Sequence, residues 1–203
     1  MTKNKLKIWE AALLLSLGIT LLIGSWAGQQ QSELSEKLIR LHVVAVSDDK
    51  TEQEIKLQVR DAVLGYLTPL LSQTSDTRTA GEIIEENLSG IESAALSSSQ
   101  GREVTVTLGT EYYPTRHYDG FSLPAGEYES LRVTLGEGEG HNWWCVVFPP
   151  LCVEAAGIGS EQAQYVLSED DAALITCQDE GYELKFRVLD IWGKLRSFLS
   201  GLN

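Results

Sequence analysis

Between Ile55 and Leu96 apolar residues recur every three or four places, and from Val104 onward they recur every second place. A chain whose hydrophobic period switches from helical to extended part-way along has to build helices and a sheet in separate runs. Thr51 can cap a first helix whose opening turn carries Glu52 and Glu54; Ile55, Val59, Ala62, Val63, Tyr66, Leu67 and Leu70 form its apolar face, to about Ser72. A second helix is predicted from Thr77 through Ile83, Ile84, Leu88, Ile91 and Leu96, ending in the Ser97–Gly101 stretch. Lys37–Val46 reads as a buried strand with Arg40 and His42 turned to one side. Val104 to Leu108, Glu129–Leu135 and Asn142–Phe148 supply further strands. Strand, helix, helix, strand, strand, strand predicts an α+β fold: a mainly antiparallel sheet covered by two helices on one face.

The first 27 residues are of another kind. Lys3, Lys5 and Lys7 precede Ala11–Ala27, where no side chain is charged. As a helix those positions span roughly 26 Å against a hydrocarbon core of roughly 30 Å. With small residues at Ser25 and Ala27, residues 1–27 read as a signal peptide or membrane anchor, which places the body outside the cytoplasm. Residues 28–36, with three consecutive glutamines, read as a solvated linker. The body occupies 37–153. An acidic extension, 154–181, is expected to pack poorly, and 182–203 forms an amphipathic C-terminal helix that either lies on a membrane or docks on its own domain.

Sixteen Lys and Arg against 29 Asp and Glu leave a formal charge of −13. Nothing in that balance suits a phosphate backbone or an anionic lipid surface, so neither is expected as a ligand. Membrane contact is expected only through residues 1–27 and, in one of its two readings, the C-terminal helix.

Candidate chemistry is sparse. Glu127 and Glu129 share one face of a strand, and Glu137 and Glu139 lie among glycines; such pairs arise by chance in a chain this acidic. His42, His117, His141, Cys145, Cys152 and Cys177 show no metal-ligand spacing, so no metal and no cofactor is expected. Cys145 and Cys152 flank Pro149 and Pro150; a turn there permits a disulfide, while the apolar setting of Trp143, Trp144, Val146, Val147 and Phe148 favours two buried inert thiols. Gly136-Glu137-Gly138-Glu139-Gly140 lacks the Lys and the following helix of a phosphate loop. No nucleophile elbow or aspartic-protease motif occurs, and no catalytic residue is assigned. Aromatics, prolines and arginines cluster instead around one sheet, a composition common to recognition surfaces and to cores.

Those clusters carry a family likeness. KLIRLHVVAVSDD, EIKLQVRDAVLGYLTPLL, YYPTR, LPAGEYESLRV and GEGEGHNWWCVVFPPLC resemble the stage II sporulation protein R family of endospore-forming Firmicutes, from about Leu38 to Cys152. The chain departs from that pattern at Val46, where Asn is expected, and in the acidic tail after Cys152. The resemblance implies a signal rather than an enzyme. Members are exported from the forespore into the space between the two sporulation membranes. There they activate a membrane-embedded aspartic protease of the mother cell, which processes the precursor of sigma factor E. Contact with that protease is assigned to the region of Arg40, His42, Asp48, Arg60, Asp61, Arg116, Glu127, Trp143 and Trp144, with an internal ion pair at Arg60 or Asp61 as the competing role. The rival class is an exported cell-wall hydrolase using Glu127 or Glu137.

Overall fold

A computed structural model describes residues 7–118 and 121–151, together with Val166, Leu167, Asp171 and Ile175. Helix α1 (Ile8–Ser35) leads into strand β1 (Ile39–Val44). Three helices follow: α2 (Lys50–Leu71), α3 (Thr77–Glu86) and α4 (Leu88–Ser98). Then come β2 (Val104–Tyr113), the short hairpin β3 (Arg116–Tyr118) and β4 (Phe121–Leu123), β5 (Gly126–Leu135) and β6 (Asn142–Phe148). The main sheet runs β2-β5-β1-β6. β1 is parallel to β5 and antiparallel to β6, and β2 is antiparallel to β5. The fold is therefore α+β with a mainly antiparallel sheet.

Period-two alternation divides the sheet between two cores. Ile39, Leu41 and Val43 of β1, with Leu131, Val133 and Leu135 of β5, face Ile55, Val59, Val63 and Leu67 of α2 and Ile84, Ile91 and Ala95 of the next two helices. All are essentially inaccessible, and burying each aliphatic side chain is worth about 1.5–3 kcal/mol. The opposite face gathers Tyr113, Tyr128, Phe121, Leu123 and Val146 with Leu34 from the end of α1 and Leu38 from the connection to β1.

Three expectations are corrected. Residues 28–35 are the last turns of α1, not a solvated linker. Their Gln and Glu residues are good helix formers, Gln29 bonds Glu33 one turn on (3.1 Å), and Leu34 is fully buried against the sheet. The end of the Gln31 side chain rests against Gly126, in the space a Cβ would take. The single helix expected from Thr77 to Leu96 is two helices. Asn87 leaves the helical region (φ −107°, ψ 11°), bonding the Ile83 carbonyl through its amide N–H and accepting the Tyr66 hydroxyl. The acidic extension is not loose where it is described: Leu167 and Ile175 are buried in the second core and Asp171 pairs with Lys37 at 2.5 Å. The rest of the extension and the helix expected over 182–203 lie outside the described residues.

The first part of α1 exposes Ile8, Trp9, Leu13, Leu14, Leu15, Leu17, Leu21 and Leu22. Among the described residues, no helix is long and apolar enough to cross a membrane.

Candidate functional site

The face of the sheet opposite α2, α3 and α4, packed by the end of α1 and open at its rim, concentrates the polar chemistry. On β1, Arg40 and His42 point to this face because Ile39, Leu41 and Val43 take the other. Register then sets their neighbours: His42 stands opposite Arg132 on β5 and Trp144 on β6, and Arg132 stands opposite Thr107 on β2. Glu111, further along β2, completes a network. Its carboxylate accepts from Arg132 Nη1 (3.0 Å) and Ser130 Oγ (2.8 Å), and it bonds His42 Nδ1 (3.0 Å). His42 Nε2 reaches Asn142 Oδ1 (3.0 Å), and Ser130 Oγ also meets the Tyr113 hydroxyl (2.6 Å). Burial opposes charge on Glu111, yet Arg132, Ser130 and His42 outweigh it and hold the carboxyl below its usual range.

Arg40 is the deepest charge in the described structure, with no exposed surface. Its guanidinium lies 4.2 Å from the Tyr113 ring centroid and 5.0 Å from that of Tyr128. Nε donates to the Cys145 carbonyl (3.0 Å) and Nη2 to the Tyr118 hydroxyl (2.6 Å), leaving Nη1 without an acceptor among the described residues. Three rings and two acceptors replace the carboxylate that a buried arginine ordinarily requires. Burial pushes the hydroxyls of Tyr113, Tyr118 and Tyr128 up, so all three stay neutral.

At the rim of this face, the Arg116 guanidinium sits 3.4 Å from the centroid of Trp144, whose ring in turn tilts against His42 at 5.6 Å. A cleft of about 360 Å³ opens beside them, walled by Asp48, Glu139, His141 and Asn142. Asp48 accepts from both the backbone N–H and the ring of His141. Desolvation is the largest single effect and opposes charge on Asp48, but these bonds together with the charges of His141 and Lys56 outweigh it and hold the carboxyl below its usual value. Gly140 is required here because a Cβ would run into the Ser47 carbonyl.

The nine residues singled out from sequence therefore separate into three places. Arg40, His42, Arg116 and Trp144 come together on the open face, with Asp48 at its edge. Arg60, Asp61 and Trp143 lie on the helix side: Arg60 pairs with Asp61 (2.6 Å) and covers the Trp143 ring at 4.5 Å. Glu127 is elsewhere again, in an acidic cleft of about 650 Å³ with Glu82, Glu85 and Glu129 between α3 and β5. Burial and the nearby Glu85 raise the Glu129 carboxyl. Glu137 lies in the turn that leaves β5 and lines neither cleft.

Sequence reading missed Glu111, Ser130, Arg132 and Asn142. The signal for two of them was present, since Ser130 and Arg132 alternate with Leu131 and Val133. Cys145 is disulfide-bonded, so the inert-thiol reading fails for it; Cys152 lies outside the described residues. Among the described residues no group of three or more His, Cys, Asp or Glu is placed to hold a metal.

Comparison with known proteins decides the family. The model of the stage II sporulation protein R family matches residues 35–157, more than half the chain and every strand of the described sheets. The chain belongs to the stage II sporulation protein R family. It is 34% identical to the stage II sporulation protein R of Bacillus subtilis (strain 168) over 123 residues, 59% of this chain and 55% of that protein. The chain thus spans about half the length of the curated relative it matches. No solved structure matches it. Family membership embraces the whole open face, from Arg40 to Trp144, and stops before Leu167, Asp171 and Ile175.

Proposed function

We propose that this chain is an exported signal of sporulation, delivered from the forespore into the space between the two membranes. There it activates the membrane-embedded aspartic protease that processes the precursor of sigma factor E. Residues 1–27 act as the export signal or anchor, and the open face of the sheet meets the outward-facing part of the protease. The observation that carries the surface assignment is the half-buried Arg116–Trp144 stack beside an open cleft, because Arg and Trp clustered in one place make the commonest strong contacts of protein interfaces. Activation requires only that the domain bind the active form of the protease more tightly than the inactive one, and about 1.4 kcal/mol of difference shifts that equilibrium tenfold.

The test is co-expression of the full chain with the protease and the sigma precursor in a host that does not sporulate. Processing should depend on the chain and should fall at least tenfold with Trp144→Ala while secretion is unchanged. Processing that is the same without the chain refutes the reading.

A second reading rests on one observation, the raised Glu129 carboxyl beside Glu127 in a cleft, which suits an acid and base pair. In an exported wall hydrolase, purified protein would release fragments from peptidoglycan and Glu127→Gln would abolish release.

A further inference from the structure

Arg60, Arg102 and Arg132 each hold a carboxylate at 3.0 Å or less. Arg116 is held differently. Its guanidinium carbon lies over the Trp144 ring, 3.4 Å from the centroid, its Nε is buried without an acceptor among the described residues, and no Asp or Glu among them comes within ion-pairing distance. A guanidinium over an indole keeps its N–H groups in their own plane beside the ring face, so a carboxylate that enters along that plane can be gripped in bidentate fashion. Arg40 stands behind it as a second cation, and burial together with Arg40 lowers the Arg116 guanidinium, so an incoming anion relieves a strain that the free domain carries.

The other wall narrows what that anion is. Asp48 and Glu139 line the same cleft. Asp48 is bound to His141, and the two carboxylates oppose any anion in proportion to its charge, so a single carboxylate meets less repulsion than a phosphate dianion or an anionic lipid surface. A cleft of about 360 Å³ admits one side chain or one turn of peptide and little more. The chain's own acidic extension is a competing occupant, but its one described acidic residue, Asp171, is engaged with Lys37.

Resting on the proposed docking of this face, we propose that the Arg116–Trp144 shelf is a carboxylate-reading subsite that accepts a single Asp or Glu side chain from an exposed loop of the protein partner.

The test uses the full chain in the co-expression system. In the R116K variant, a carbodiimide joins the introduced amine directly to any carboxylate in contact with it, and mass spectrometry locates the bond. The expected product links position 116 to an Asp or Glu of the protease. R116Q is expected to lower precursor processing at least tenfold with an unchanged urea midpoint. A crosslink to the chain's own extension, no crosslink at position 116, or full processing by R116Q overturns the subsite while leaving the signalling reading intact. If the wild-type chain fails to trigger processing, that reading falls and the subsite is judged alone by nuclear magnetic resonance of the Arg116 Nε–H. The signal should move with N-acetylglutamic acid α-amide and stay still with inorganic phosphate. An unmoved signal with the carboxylate, or an equal response to phosphate, overturns it.

Discussion

Replacing Glu111 by Gln probes the network that holds the open face together. The carboxylate takes hydrogen bonds from Arg132, Ser130 and His42 on two oxygens, and an amide offers one oxygen and one N–H2 group. With the amide nitrogen toward Arg132, donor faces donor; with it toward Ser130 and His42, the hydroxyl must turn and the imidazole must accept at Nδ1, which upsets the bonds they make to Tyr113 and Asn142. If the nitrogen faces Arg132, that side chain, 40% exposed, recovers water; if it faces His42, which is 10% exposed, it does not. Hydrogen bonds to a charged group contribute about 1.5–3 kcal/mol, so the loss discounted for partial exposure is about 2 kcal/mol. With a urea slope of about 1.5 kcal/mol/M, the midpoint should fall by about 1.3 M at pH 7. The pH dependence has a definite sign. Because the Glu111 carboxyl is depressed in the folded state, its contribution is present above the unfolded value near 4.5 and is lost as pH falls through the folded value. The gap between wild type and E111Q should therefore narrow from pH 7 to pH 3. A gap under about 0.5 kcal/mol at pH 7, or one equally wide at pH 3, refutes the account.

Further outcomes follow from other contacts. Arg40→Ala should cost about 3–4 kcal/mol in urea melts, whereas Arg40→Met, which fills the same volume without the charge and without an unpartnered N–H, should stay within about 1 kcal/mol of wild type; equal losses would mean that the guanidinium itself is indispensable. Leu167→Ala combined with Ile175→Ala should destabilise the domain by about 4 kcal/mol, and an unchanged midpoint would show that the extension is not part of the second core. Peptide mapping without reductant should join Cys145 to Cys152 across the Pro149–Pro150 turn; a Cys145–Cys177 peptide would refute that pairing.

How much of this was legible depends on the length over which a pattern repeats. α2 shows a heptad-like face for six turns, and β1, β5 and β6 alternate or run apolar for six to ten residues, so each was found close to its observed bounds. The β3–β4 hairpin was not found, because strands of three residues contain less than two periods. The break at Asn87 escaped for a related reason: Ile84, Leu88 and Ile91 keep a helical spacing across it, and only the side-chain bonds of Asn87 interrupt the backbone. Arg40 and His42 were recognisable as facing away from the core. That Glu111 meets His42 depends on the pairing of β2 with β5 and of β5 with β1, a register that no local segment contains.

The two faces of the sheet do different physical work, and Arg40 connects them to the rim. A hairpin of two three-residue strands cannot hold its own position in water. Here it is fixed from beneath: the Tyr118 hydroxyl of β3 takes a hydrogen bond from Arg40, while Tyr118 stacks on Phe121 of β4 at 4.7 Å. The same strand begins with Arg116, so the bond at Tyr118 also sets where Arg116 meets Trp144. Buried charge is a poor source of stability but a good source of position, because few arrangements satisfy it. On that argument the two apolar cores supply the folding free energy, with Phe121 and Leu123 seating the hairpin, and the buried guanidinium fixes where its Arg116 end comes to rest. R40M should then leave the fold intact while weakening partner-dependent processing, and that separation of stability from activity is what distinguishes a positioning charge from a merely structural one.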